Sequence, residues 1–504
     1  MCLHKGNIGC QTASLWLLLR ANTSTSMQSE PMAEKPIPNV SLLPAQRLDR
    51  LDIGVAVAVA ALILAIALVL LSGDRVGISV RRFVPQGLAS SQSVVQITFD
   101  EPLDPESVAD KISLSPAAEG TITVTGNQLQ WQPTHALQQG QIYTVRLAEG
   151  VRAQNGRLLL EAHQWEFRVR APQVVFMAPV DNPIQNLFMV DPNVPDSQPQ
   201  QITFSELGVL SYDIAPDGSR IVYSELGDQR TAHLRLYDLR SNSTLTLLEC
   251  PTAACTTPAW RPDGGMVAFE RSDLNLDTGA GPGAPRIWLV DTTTGIPRPL
   301  FADSQRLGYS PRWSPDGRFL ASYDANVGGI VLFDFEANAE RLIRTPQGEV
   351  GQFSADGRWL FFPKIIQLAG TTRYVAHFVL VDLESELMVQ RDLVPESDPN
   401  NDVELAWLPD NRRLVITRRP PTITTMQGAQ LHLIDLETNE TTPLVTDGDY
   451  SSGQVAVSPN GEQLAFQRFA LAKPGARAEI WLYDLTTGDL RLLASNATLP
   501  RWLP

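Results

Sequence analysis

From about residue 91 to the C terminus, apolar and polar positions alternate in short runs, the period of a strand with one buried face. Gly, Pro, Asn and Asp break the runs at close intervals, so the chain beyond that point is predicted to be all-β. One stretch does not alternate. "IGVAVAVAALILAIALVLL", residues 53–71, carries no charge and predicts a helix long enough to cross a bilayer core. A buried core helix would show a polar face, and none is visible. A cleaved signal peptide is the rival reading, but the run is long, begins only at residue 53 and is followed by no clean cleavage site. An uncleaved single-pass helix over 53–72 is therefore expected. It would separate a polar, disordered cytoplasmic tail (1–52) from a linker (73–90). The first 26 residues have no clear period, and Met27 or Met32 rivals Met1 as the start.

The alternating region has an internal repeat. "IAPDGSRIVYSE" at 214 returns as "WRPDGGMVAFER", "WSPDGRFLASYD", "FSADGRWLFFPK", "WLPDNRRLVITR" and "VSPNGEQLAFQR". The turn residues Asp217, Asp263, Asp316, Asp356, Asp410 and Asn460 are separated by 46, 53, 40, 54 and 50 residues, the period of a propeller blade. Turn chemistry explains the motif. Proline presets φ, aspartate bonds the backbone ahead of it, and glycine takes the left-handed position. A metal or catalytic role for these aspartates is not needed. A second motif, a strand ending in Asp as in "LRLYDLR" and "IWLYDLT", follows each hairpin and also occurs once earlier, in "NLFMVDPN". That first unit lacks an opening strand. The terminal "TLPRWLP" matches the start of the repeat, so it is expected to complete the first unit beside "PQVVFMAP" and close a ring of seven blades over 172–504.

Residues 91–170 read as a separate small sandwich: "ITFDEPLD", "WQP", Gly140, Tyr143, the Asn155-Gly156 turn and "WEF". In this order they resemble the bacterial Ig-like domain of SbsA-type surface-layer proteins. The resemblance implies a spacer or adhesive module (91–171) with no binding residues to carry over. The repeats of 172–504 resemble the WD-like repeats of TolB-type propellers, found also in prolyl-oligopeptidase-like enzymes. That resemblance implies a propeller and leaves the function open. TolB-like proteins place an α/β domain before six blades, so a role in the Tol system does not follow.

Charge and chemistry narrow the field. The net charge of −15 excludes a general nucleic-acid binder. The tail to residue 52 holds Lys5, Arg20, Lys35, Arg47 and Arg50, against Arg75, Arg81 and Arg82 beyond the helix. This slight bias fits a tail-inside topology with the bulk of the chain extracytoplasmic. Cys2 and Cys10 fall in the tail. Cys250 and Cys255 flank "PTAA" and are either a disulfide of an oxidising compartment or two unlinked thiols. There is no G-x-S-x-G elbow, and no hydrolase domain is expected after Pro504. The six histidines (His4, His135, His163, His233, His377, His432) are scattered, and "SADGRW" has the wrong spacing for a sialidase box. "SDLNLDTGAGPG" offers Asp273, Asn275 and Asp277 as a calcium loop, with its glycine misplaced and no closing Glu; a plain flexible loop is the simpler reading. Long connections at 272–285, 364–377, 418–430 and 469–478 all join second and third strands and should share one face of the disk.

No catalytic, cofactor or metal residues are assigned. The expected function is a membrane-anchored cell-envelope protein that presents its propeller to an envelope protein or glycan, without catalysis. The alternative is an envelope enzyme, a lyase or glycosidase, working in the central cleft.

Overall fold

The computed structural model describes residues 50–71, 77–275, 281–421 and 428–504 and divides into two compact units, Met1–Arg75 and Val76–Pro504. The tail with Cys2 and Cys10, the alternative starts, Arg75 and Asp277 lie outside the described residues. In the first unit, helix α1 spans Arg50–Leu71. Its described side chains, at 54, 55 and 57–66, are all exposed. Counted over described residues, no helix is long and apolar enough to cross a membrane. The expected span at 53–72 therefore draws no support there.

Among the described residues the second unit is all-β apart from short 3-10 turns. It begins with two four-stranded sheets. One orders Val80–Val84, Val95–Phe99, Gln128–Pro133 and Gly120–Thr125; the other orders Gly87–Ala89, His163–Val169, Ile142–Leu147 and Ile112–Ser115. Alternation sets their inner faces. Val95, Ile97 and Phe99 point inward and pack with Leu129, Val145, Leu147 and Phe167. Two strands fall within the stretch 73–90 read from the sequence as a linker, so that reading is corrected. The exposed pair Arg81-Arg82 hides the strand pattern, although Phe83 stacks on Trp165 at 4.6 Å. Strand Ile112–Ser115 was likewise not expected.

From Gln173 the chain forms successive antiparallel meanders, referred to here as sheets 1 to 7. Sheet 1 orders Gln200–Gln201, Asn186–Val190, Gln173–Ala178 and, from the far end of the chain, Thr498–Leu503. Sheets 2 (Val209 to Leu248) and 3 (Ala253 to Pro299) are joined into one eight-stranded sheet by the parallel bridge Ala232/Ala254. Sheets 4 to 7 begin at Tyr309, Gln352, Asn401 and Tyr450, with four strands each.

Apolar clusters lie between consecutive sheets. Tyr212 and Tyr223 of sheet 2 meet Val175 and Leu187 of sheet 1. Leu320 of sheet 4 meets Leu289 of sheet 3, and Leu464 and Phe466 of sheet 7 meet Val415 and Leu431 of sheet 6. Ala465, Ile480 and Leu482 of sheet 7 then pack against Val174, Phe176 and Trp502 of sheet 1, so the succession closes on itself. This is a β-propeller. The C-terminal strand is its latch: Trp502 pairs with Val174 and Arg501 with Val175.

The hairpin turns behave as their residues dictate. The aspartates accept a backbone N–H two positions on, as Asp263 does from Gly265 (2.9 Å), Asp316 from Arg318 (3.0 Å) and Asp356 from Arg358 (3.0 Å). Gly317 takes φ +71° to close its turn. All these turns, and those joining third to fourth strands, lie at one end of the strands. The second-to-third connections and the crossings to the next sheet lie at the other. Several expected long loops are shorter than read: 364–377 is mostly paired strand, because Trp359–Gln367 and Tyr374–Asp382 continue their ladder nearly to the turn.

Candidate functional site

The repeat aspartates are used up by structure. The third-strand aspartates accept N–H groups from the following turn, and those of sheets 4, 5 and 6 also pair with the hairpin arginine of their own sheet. The pairs are Arg318–Asp334 (2.7 Å), Arg358–Asp382 (2.9 Å) and Arg412–Asp435 (2.7 Å). The Arg412 guanidinium beside Asp435 pulls its carboxyl down to about 2. Asp273 pairs with Arg271 at 2.9 Å and the Asn275 amide donates to the Gly281 carbonyl, while Asp277 lies outside the described residues. Among the described residues no group of three or more ligand-type side chains is placed to hold a metal. Cys250 and Cys255 form a disulfide at the crossing from sheet 2 to sheet 3, with Cα atoms 6.4 Å apart.

The axis is where the fold brings together charges that are remote in sequence. Every first strand except that of sheet 5 carries a bulge, and at several of them a non-glycine residue is left-handed: Thr257 (φ 51°), Ser310 (51°), Gln454 (52°) and Leu499 (53°). Three of these bulges are held by the preceding sheet. Thr257 donates its backbone N–H to Ser211 Oγ (3.0 Å), Ser310 to Glu270 Oε1 (2.7 Å) and Gln454 to Glu404 Oε2. Burial pushes the Glu404 carboxyl up to about 7 and raises that of Glu270. Asp213 accepts from Arg501 (2.6 Å) and from the Trp260 N–H (2.8 Å), tying sheets 1, 2 and 3 together. Burial also pushes the Arg312 guanidinium down, and the positive charge of Arg501 adds to the effect. Glu349, exposed, is raised by desolvation and lowered by Arg312.

A second polar constellation sits on the loop face of sheet 6. Arg418, 6% exposed, donates to Asp398 (2.6 Å) and Asp402 (2.7 Å). The second oxygen of Asp402 has no partner, and burial raises that carboxyl. His377 reaches the Asp398 and Asn400 carbonyls at 3.1 and 3.2 Å. His432, pushed down by burial, lines a cavity of about 480 Å³ together with Asn400, Arg418, Gln430 and Asp447. Two histidines read as scattered thus border one turn. Cross-strand register, invisible in a linear motif, brings them there.

The Ig-like module meets the opposite face. Arg170 donates to the Pro504 carbonyl from Nε (2.9 Å) and Nη2 (2.8 Å), and also to the Gly218 carbonyl in the hairpin turn of sheet 2. The loop face therefore points away from that junction. On it, Ile184, Phe204, Leu207 and Leu210 are exposed, Phe204 by 77%. The Val209 N–H donates to the Gln185 carbonyl (2.7 Å), which places the two segments side by side.

Residues 74–169 match the bacterial Ig-like domain family. A stretch of 217 residues is 27% identical to "Uncharacterized peptidase YuxL" of Bacillus subtilis (strain 168); it covers 42% of this chain and only 29% of that protein's length. Among solved structures, TolB from Acinetobacter baumannii is similar at 15% identity, covering 78% of this chain and 83% of that one, with a TM-score of 0.40. An oligogalacturonate lyase in complex with manganese is similar at 11% identity, covering 64% and 85%, with a TM-score of 0.45.

Proposed function

We propose that this chain is a single-pass cell-envelope protein whose seven-bladed propeller presents its loop face as a binding platform for an envelope protein or glycan, without turnover. The observation that carries the reading is the exposed apolar group Ile184, Phe204, Leu207 and Leu210 on the face turned away from the Ig-like module. Contiguous exposed apolar surface of this kind marks interaction sites. The axial carboxylates Glu270 and Glu404 support it too, because each clamps a strained bulge of the next sheet. The blade count rests on the closing pack of sheet 7 on sheet 1.

The anchor rests on α1. Leu62, Ile63 and Leu64 are consecutive and all at least 61% exposed, and among the described side chains of the helix none is buried. The Cys250–Cys255 disulfide supports an extracytoplasmic propeller. The test uses the full chain in detergent, immobilised over native envelope extract and over purified envelope glycans. Saturable capture that Phe204→Asp abolishes supports the platform; no saturable capture by either overturns it.

A second reading is an envelope enzyme, either a lyase or glycosidase at the axis or a hydrolase as the name of the Bacillus relative suggests. The raised carboxyls of Glu270, Glu349 and Glu404 favour it. Turnover of a glycan or peptide library by the full chain, lost in Glu349→Gln, would establish it in place of the platform.

A further inference from the structure

The cavity of about 480 Å³ at the loop end of sheet 6 is a built site whose walls follow from strand phase. On the third strand Leu431 packs between sheets 6 and 7, whereas Ile434 packs between sheets 5 and 6. Gln430 and His432 are in phase with Ile434 and so face sheet 5. Arg418 is in phase with Leu414 and Ile416 on the second strand, faces the same way and pairs across the ladder with Gln430. Thr441, opposite Ile434 on the fourth strand, stands exposed at the rim. The volume lies within the range of small-molecule sites.

Hydrogen bonds fix these walls and leave particular atoms over. Gln430 donates to the carbonyls of Gly428 (3.1 Å), Asp447 (3.1 Å) and Tyr450 (2.9 Å) and accepts the Asp447 N–H (2.6 Å), so it holds one rim in place. His377 holds the other through the Asp398 and Asn400 carbonyls. Arg418 gives Nε to Asp402 and Nη2 to Asp398, and among the described residues Nη1 has no partner. His432 Nδ1 lies 3.3 Å from the Gln430 carbonyl. A carbonyl only accepts, so Nδ1 carries the proton. Burial keeps the ring neutral, which leaves Nε2 a bare acceptor. The Asn400 amide donates to Asp398 (2.7 Å), and among the described residues its oxygen accepts from none.

Apart from Pro420 and Gly448, every described lining residue is polar, which disfavours an apolar ligand. The carboxylates of Asp398, Asp402 and Asp447 outnumber their partners Arg418 and Arg468, which disfavours an anion. The open N–H groups of Arg418 disfavour a cation. A hydroxyl suits both open groups, because it accepts from Nη1 and donates to Nε2. We propose that this cavity binds one neutral sugar unit of a glycan, with Arg418, His432 and Asn400 as the groups that bond its hydroxyls. This rests on the platform reading and narrows its ligand to a glycan.

The test is saturation-transfer NMR on the full chain in a detergent without a sugar headgroup. The probes are the methyl glycosides of glucose, galactose, mannose and N-acetylglucosamine, with glucuronate and galacturonate as charged counterparts. At least one neutral glycoside should bind with a millimolar Kd, and the uronates more weakly. His432→Phe keeps the bulk of the ring and removes the acceptor, while Thr441→Trp, at an exposed position, obstructs the mouth. Each should weaken binding about fivefold or more with the melting temperature unchanged. Arg418 is left in place because it also neutralises Asp402. No saturable binding of any neutral glycoside, tighter binding of a uronate, or unchanged affinity in either variant that melts with wild type overturns the proposal. An envelope ligand captured equally well by Thr441→Trp would leave the platform standing and remove only this site. Glycoside binding with no envelope ligand would do the reverse.

Discussion

The latch strand gives the strongest quantitative prediction. Trp502 is 8% exposed, packs among Val174, Ala465, Ile480 and Leu482, and donates its indole N–H to the Ala456 carbonyl at 3.0 Å. Trp502→Ala removes a large buried side chain, costing about 3–5 kcal/mol. It also leaves a half-buried carbonyl without its donor, for about 1 kcal/mol more. The backbone pairing of Thr498–Leu503 with Gln173–Ala178 stays possible, so the ring weakens without opening outright. Unfolding entropy of about 2.1 cal/mol/K per residue, over roughly 330 residues, is about 0.7 kcal/mol/K. A loss of 4–6 kcal/mol should then lower the melting temperature by about 6–9 °C. Deleting 499–504 goes further: it bares the edge of Gln173–Ala178 and frees Arg170 from the Pro504 carbonyl, so concentration-dependent association should appear. Calorimetry and light scattering read the two outcomes. A Trp502→Ala protein melting within 2 °C of wild type, or a monomeric truncation of unchanged stability, would refute the closure.

Three further outcomes follow from particular contacts. Replacing both Cys250 and Cys255 by Ser should cost only about 2 kcal/mol, because the bond closes a short loop; scanning calorimetry with and without reductant checks this, and alkylation with mass spectrometry checks the oxidised state in native envelopes. Arg418→Ala leaves Asp402 buried and unpaired and should destabilise by about 3–5 kcal/mol, read by chemical denaturation, whereas Arg358→Ala on the exposed turn face should leave the denaturation midpoint nearly unchanged. Glu404, raised to about 7 by burial, binds its proton more tightly folded than unfolded, so its contribution is present below about pH 4 and is lost as pH rises through 7. Wild type should therefore lose about 3 kcal/mol relative to Glu404→Gln between those limits, and parallel stability profiles for the two proteins would remove the argument.

Much of the architecture is written locally. A Pro-Asp-Gly turn states its own geometry, and alternation on either side states which face is buried, so the hairpins and the sandwich strand at Val95–Phe99 can be read directly. Strands of few residues with exposed arginines, such as Val80–Val84, cannot, because too few positions remain to show a period. Connection lengths fail for a related reason. Lys364 and His377 pair across a ladder that runs on to Gln367 and Tyr374, but there the polar His377 is buried and the apolar Ile365 is exposed, which inverts the pattern that alternation is read from.

The axial group is illegible for a deeper reason. Arg501, Asp213, Glu270, Arg312, Glu349 and Glu404 come from separate repeats, and none is a residue type that the copies of the motif share. A repeat is recognised by what its copies share, whereas a site at the axis is made from what they do not share. The equivalent positions show the principle: alanine recurs at 259, 406 and 456, and the chemistry lies in the departures at 213, 312 and 501. Aligning the repeats and reading the non-conforming residues at each inward position therefore recovers the axial charges from sequence, once the hairpin has fixed the register. The same procedure applied to the loop face picks out Phe204, which has no counterpart in the shared pattern and which the fold leaves exposed on the side turned away from the Ig-like module.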